Sequence, residues 1–176
     1  LFLHRFEAAA NAGYKAVEYM FPYAFEADEI RARLNANRLK LVLHNLPAGN
    51  WDAGERGIAC HPGRVQEFRR GVGEAIEYAG VLGVGQLNCL AGKAPAGVAE
   101  ADLRATFVAN LTFAAAELKK AGLKLLIEPI NTYDIPGFML HRSAQTLALL
   151  DEVGEDNAYL QYDVYHMQRM EGELAA

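Results

Sequence analysis

Cysteine is scarce: Cys60 and Cys89 are the only two among 176 residues, and they form no Cys-x-x-Cys pair. That excludes a disulfide framework and a thiolate metal knuckle, and it predicts two buried or half-buried free thiols. Long apolar runs are missing too. None reaches the ~18 residues that a membrane-crossing helix needs, so no membrane partner is expected. The opening segment, Leu1-Phe2-Leu3-His4-Arg5-Phe6-Glu7, meets charge too early for the apolar core of a secretion signal. A reducing cytoplasm is the expected location. Basic charge is not in surplus: 17 Lys and Arg stand against 22 Asp and Glu, for a net charge of −5. Proteins that bind a phosphate backbone carry a basic patch, so nucleic acid is not an expected partner. Finally, no Gly-x-Gly-x-x-Gly follows any predicted strand, which argues against a nucleotide cofactor.

What remains is an apolar-rich chain, 52% hydrophobic, with enough material for one substantial core. Its pattern alternates. Phe2 to Ala12 reads as a helix, Ala16 to Phe21 as a strand and Glu26 to Asn37 as a helix. Leu39 to Leu46 is a strand, followed by a Gly- and Pro-containing loop from Pro47 to Gly63. Val65 to Leu82, Glu100 to Lys120 and Ser143 to Val153 are helices. Gly85 to Leu90, Leu123 to Ile127 and Ala158 to Tyr162 are the strands between and after them. Strands alternating with helices, without hairpin signals, predict a parallel sheet covered by helices.

Two of these strands end in an acid, in Leu125-Leu126-Ile127-Glu128 and Tyr159-Leu160-Gln161-Tyr162-Asp163. In parallel α/β sheets and barrels, chemistry sits at the C-terminal ends of the strands. The separation of Glu128 and Asp163, 163 − 128 = 35 residues, is about one strand–helix–strand unit. They are therefore expected to converge from neighbouring strands, the alternative being two solvated loop carboxylates. Polar residues also end the other strands: Glu18, His44 with Asn45, and Asn88. Such a ring at one rim favours a (β/α)8 barrel over an open doubly wound sheet. A complete barrel takes about 250 residues, so residues 1–176 are read as one incomplete barrel domain of about five parallel strands. The chain opens on a predicted helix and stops near Met170-Glu171-Gly172, where another helix is expected to begin. The expectation is a fragment lacking the first strand and the last two strand–helix units.

Several segments resemble the hydroxypyruvate isomerase family. They are His44-Asn45-Leu46-Pro47-Ala48-Gly49, Gly54 to Cys60, Ile127-Glu128-Pro129-Ile130-Asn131, Asp134 to Phe138, and above all Gln161 to Gly172. That family belongs to the xylose-isomerase-like TIM barrels, with sugar 3-epimerases and endonuclease IV as more distant relatives. The resemblance implies interconversion of hydroxypyruvate and 2-hydroxy-3-oxopropanoate, a small hydroxy-oxo acid pair, by proton transfer through an enediolate. The alternatives are a 2-oxo-tetronate isomerase or related sugar isomerase or 3-epimerase, and, from other classes, a metal-dependent phosphodiester hydrolase or a non-catalytic barrel fragment. The resemblance implies that Glu128 is a catalytic acid–base residue, and that Glu128 and Asp163 are part of a site for a divalent metal ion, Mg²⁺ or Mn²⁺. A second acid and the remaining ligands would lie beyond Ala176, so the fragment alone is expected to be inactive and the full-length protein is a possible homo-oligomer.

His166, three residues past Asp163, resembles a substrate-contacting histidine of related epimerases. His44 and Asn88 are further substrate-binding candidates, each with a structural alternative: orienting another group, or satisfying a loop. Glu18 and Asp134 are weaker candidates, the latter read as a possible turn cap. The long loop with Trp51, Glu55 and Arg56 has the length of a functional lid. Arg56 could meet the substrate carboxylate, with an internal pair to Glu55 or Asp52 as the alternative. His4, His61 and His141 are read as surface residues, and Arg64 to Glu77 as carrying a solvated, ion-paired helix face.

Overall fold

The computed structural model describes residues 2–174. Five strands form one parallel sheet: β1 (Ala16–Glu18), β2 (Lys40–Asn45), β3 (Gln86–Cys89), β4 (Lys124–Ile127) and β5 (Ala158–Leu160). Their spatial order is β1-β2-β3-β4-β5, each beside its sequence neighbour. α1 (Arg5–Asn11) precedes β1; α2 (Ala27–Ala36), α3 (Val65–Leu82), α4 (Glu100–Lys120) and α5 (Ser143–Val153) run between successive strands, and α6 (Val164–Met170) follows β5. Successive helices pack on one another, α2 on α3, α3 on α4 and α4 on α5. A doubly wound sheet would reverse its strand order and carry helices on both faces. This chain never reverses, so it winds in one direction as a barrel wall does. Among the described residues β1 and β5 do not pair, and the sheet is not closed.

The long helices match the sequence pattern because their ends are marked. Gly83 and Gly154 stop α3 and α5 in the left-handed region, at φ 70° and 67°, which costs glycine little. The strands are shorter than the apolar runs that announced them. The helix expected near Met170 lies earlier: α6 ends at Met170, and Asp163 is its N-cap. The core lies between sheet and helices, where Leu87, Leu125 and Ile127 meet Phe107, Leu111 and Leu118, all fully buried. Cys60 and Cys89 are buried free thiols within it. No helix among the described residues is long and apolar enough to cross a membrane.

One irregularity decides which side chains reach the site. In the β1–β2 ladder Val17 pairs with Leu41, but Glu18 pairs with Leu43, so β2 has one residue more than β1 at Val42. A bulge of this kind re-aims the residues that follow it. Leu41 joins the helix-side core. Beyond the bulge, Leu43 and Asn45 line the cavity, and His44 between them faces the helix side.

Candidate active site

A cavity of about 490 Å³ opens at the C-terminal rim of the sheet. Its wall includes Glu18 from the end of β1, Leu43 and Asn45 from β2, and Glu128, Gln161, Asp163 and His166 from beyond β4 and β5. Trp51 closes one side. It packs on Phe21 with ring centroids 5.0 Å apart, and the Arg56 guanidinium lies 4.1 Å over its ring. Arg56 donates to the backbone carbonyls of Trp51 and Glu55, so the expected pair with an acidic side chain does not form; Glu55 pairs with Arg64 instead. The long loop is fastened to the turn after β3. Gly57 and Gly92 touch so closely that a Cβ on Gly57 would stand 2.4 Å from the Leu90 carbonyl oxygen, and His61 Nε2 lies 2.9 Å from the Lys93 carbonyl. His61 and His141 are half-buried rather than surface residues.

Glu128 is the centre of the arrangement. One oxygen accepts from Asn88 Nδ2 at 2.9 Å, and the same amide donates to Asn45 Oδ1 at 3.2 Å. Asn88 is 1% exposed and stands behind Glu128, so its reach to a ligand runs through the carboxyl group. Burial is the largest influence on Glu128. It raises the pKa, the Asn88 hydrogen bond pulls it back, and the nearby charges of Asp163 and Glu18 push it up again, to about 7. Repulsion between the two acids is thus secondary to desolvation.

Asp163, Glu128 and His166 each offer one ligand atom, all within 4.8 Å of one another. The two carboxylates predicted to converge do so. Asp163 uses Oδ1 to accept from the Tyr165 and His166 backbone N–H groups at 2.7 and 3.2 Å, leaving its second oxygen for a ligand. His166 Nε2 is 3.9 Å from Glu128 Oε1, too far for a hydrogen bond. Gln161 places an unpartnered buried Oε1 beside them. Oxygen-rich donors, crowded negative charge and an orphaned carbonyl oxygen fit a small divalent cation.

His44 lies elsewhere. It is fully buried and off the cavity wall, because the bulge turns it toward the helices. Its Nδ1 is 3.2 Å from the Asn45 carbonyl and 3.4 Å from the Tyr23 hydroxyl. Burial lowers its pKa to about 4, so the ring is neutral at neutral pH. Asp134 does more than cap a turn: it lines the cavity and accepts from Asn131 and Tyr165, hydrogen bonds that hold its carboxyl below the ordinary range. Asn45, Gln161 and Asn131 are the participants that the sequence reading did not single out as site residues. Asn45 adjoins a candidate and ends a strand, which was the available signal; Gln161 and Asn131 sit in quoted motifs but advertise no chemistry.

The xylose isomerase-like TIM barrel family model matches residues 6–176. The chain belongs to that family. It is 57% identical to the hydroxypyruvate isomerase of Escherichia coli (strain K12) over 98% of its length. It is 49% identical to the 2-oxo-tetronate isomerase of Cupriavidus necator over 99%. A Brucella melitensis structure described as an AP endonuclease of family 2 superimposes with a TM-score of 0.95, at 40% identity over 99% of this chain. In each comparison the chain spans 67% of the other protein.

Proposed function

We propose that this chain carries the acid–base centre of an isomerase that interconverts hydroxypyruvate and 2-hydroxy-3-oxopropanoate. The observation that carries the reading is Glu128: a carboxyl group on a cavity wall, buried, with its pKa raised to about 7. That value is for the cation-free site; a bound cation would lower it, and a carboxyl group held there out of bulk water can take a proton and return it. The reaction moves one hydrogen from the hydroxymethyl carbon to the ketone carbon, while a hydroxyl proton passes between the two oxygens. Glu128 takes the carbon-bound proton, an enediolate forms, and the protonated Glu128 returns that proton to the neighbouring carbon. Asn88 holds Glu128 in place, and His166, whose Nε2 lies beside Glu128 on the cavity wall, would meet a substrate oxygen there. A divalent cation held by Glu128 and Asp163, Mg²⁺ or Mn²⁺, would offset negative charge developing on the substrate oxygens.

The relatives named 2-oxo-tetronate isomerase support the same chemistry on a longer acid. The phosphodiester-hydrolase reading, favoured by the description of the Brucella structure, has weaker support. Among the described residues the candidate metal cluster contains one imidazole, and Arg5 is the one Lys or Arg on the cavity wall. The test is turnover of hydroxypyruvate by the protein that carries this chain, followed with a coupled reductase, with added Mg²⁺ or Mn²⁺ and after chelation. Isomerisation that falls with Glu128→Gln is expected. DNA nicking at abasic sites without isomerisation would overturn the proposal.

A further inference from the structure

Asn131 is fully buried in the loop after β4. Its amide lies between Asp134 and the His166 ring, and its orientation is not arbitrary. The Asp134 backbone N–H donates to one end at 2.9 Å. A backbone N–H can only donate, so that end is the carbonyl oxygen, Oδ1. The other end is then the NH₂ group. One of its hydrogens goes to Asp134 Oδ2 at 2.9 Å, and the other points at His166 Nδ1 at 2.8 Å. The Asn131 backbone N–H points to the same ring nitrogen at 3.5 Å. Tyr165 locks the far side by donating its hydroxyl to Asp134 Oδ2 at 2.6 Å.

An NH₂ group cannot accept a hydrogen bond, so Nδ1 must carry a lone pair. In a neutral imidazole the proton is then on Nε2, the atom that faces Glu128 Oε1 at 3.9 Å. This is the reverse of the usual metal-binding histidine, whose non-ligating nitrogen is an N–H donor to a carboxylate or carbonyl. If Nε2 bound a cation, the proton would have to move to Nδ1. There it would meet the Asn131 NH₂ head-on, and the clamp would break.

We propose that Asn131, held by Asp134 and Tyr165, is a positioning residue that fixes His166 with its proton on Nε2. This makes His166 a hydrogen-bond donor to a substrate oxygen and not the third ligand of the cation, although all three side chains cluster. The substrate half of this statement rests on the isomerase reading; the tautomer half does not.

The experiment is ¹⁵N NMR of histidine-labelled protein, in which the ring-nitrogen shifts and their couplings to ring protons report the tautomer. The unaltered protein should show His166 protonated on Nε2 at neutral pH, with and without Mg²⁺. A double variant, Asn131→Asp with Asp134→Asn, exchanges the two groups. The carboxylate introduced at position 131 would accept from the amide introduced at position 134 and from the backbone N–H there. The clamp is kept, with the Tyr165 hydroxyl now accepting from the second hydrogen of the amide at position 134, while its polarity toward His166 is inverted. His166 should switch to the Nδ1–H form, and kcat should fall roughly 10–100-fold, the range typical for groups that orient an active-site side chain, with an unchanged circular dichroism spectrum. Finding Nδ1–H in the unaltered protein overturns the proposal whatever the variant does. Isomerisation with unchanged kcat in a tautomer-switched variant overturns the positioning role and leaves the isomerase standing. The expected tautomers in a protein that does not isomerise hydroxypyruvate would keep the clamp and remove the functional reading.

Discussion

Glu128 and His44 are both buried ionisable side chains at the C-terminal ends of strands, and burial drives each toward its neutral form. Glu128 is raised to about 7 and His44 lowered to about 4. Yet they do opposite jobs. Glu128 looks into the cavity, with Asp163 and His166 within one ion's reach. His44 looks at the helix layer, with a phenol and a backbone carbonyl for company. A displaced pKa marks burial. The face of the strand decides whether that burial is next to a ligand. Replacing each residue should separate the two roles. Glu128→Gln keeps shape and hydrogen bonding but cannot take a proton, so isomerisation should fall by about 10²–10⁴-fold, the usual worth of general acid–base catalysis. His44→Gln should lose stability while the rate of the folded protein stays within a few-fold of normal. An equal rate loss in both variants would erase the distinction.

Stability against pH sharpens the same contrast. Glu128 keeps its proton up to about pH 7 when folded, whereas the unfolded chain releases it near 4.5. Its contribution is complete below pH 4.5 and is lost as pH rises through 7. His44 runs the other way. The unfolded chain takes up a proton near 6.5, and the folded one does so only near 4. Its contribution is complete above 6.5 and is lost as pH falls through 4. Each displacement corresponds to about 3 kcal/mol. Between pH 4.5 and 6.5 the two slopes oppose each other, so the unaltered metal-free protein should have a nearly flat stability there. Glu128→Gln should uncover a stability that rises with pH from 4 to 6.5, and His44→Gln one that falls from 4.5 to 7. Urea unfolding at a series of pH values reads both slopes, and a flat profile in either variant would refute the assignment for the residue left in place.

The sequence carried the barrel-like order and the Glu128–Asp163 pair because both depend on local signals. Apolar runs that stop at an acid are visible in one dimension, and strands one unit apart become neighbours in this topology. The ends of α3 and α5 were visible through Gly83 and Gly154. The division between His44 and Asn45 was not. It depends on the extra residue at Val42, which exists only in the pairing of β2 with β1. No propensity in Leu41-Val42-Leu43 announces it. α6 ends at Met170, where a helix was expected to begin, because its start signal, the N-cap Asp163, also ended the preceding apolar run. Asn131 was hidden for another reason: its partners, Asp134 and His166, meet only after the loop folds back onto α6.

Asn88 offers a smaller test on the cavity side. Its amide donates to the Glu128 carboxylate and is the largest influence holding that pKa down. A hydrogen bond to a charged group contributes about 1.5–3 kcal/mol, or about one to two pKa units. In the metal-free protein Asn88→Leu should raise the Glu128 pKa further, by about one unit or more, as read by ¹³C NMR titration of the carboxyl carbon. In the cation-loaded enzyme, where the ion itself lowers that pKa, the acidic limb of the pH–rate profile should still move upward, and activity lost on the acid side should recover in alkaline buffer. A loss that does not recover would mean that Asn88 shapes the cavity and does not tune the acid.

The smallest effect is expected on the helix side, from Tyr23→Phe. The Tyr23 hydroxyl donates to the Asn45 carbonyl, which also lies within hydrogen-bond distance of His44 Nδ1. Removing the hydroxyl therefore leaves that carbonyl with a partner, and the phenylalanine ring keeps the edge contacts with His44 and Tyr78. The cost should be that of one net hydrogen bond, about 1 kcal/mol, seen as a lower urea midpoint at unchanged slope. Tyr23 is off the cavity wall, so kcat/KM should hold. Asn45 is a path by which the change could reach the site, since its backbone carbonyl accepts from Tyr23 and its side chain accepts from Asn88. A tenfold fall in kcat/KM would show that the helix-side layer positions Glu128 through Asn45 and Asn88, and the two faces of β2 would then form a single functional unit.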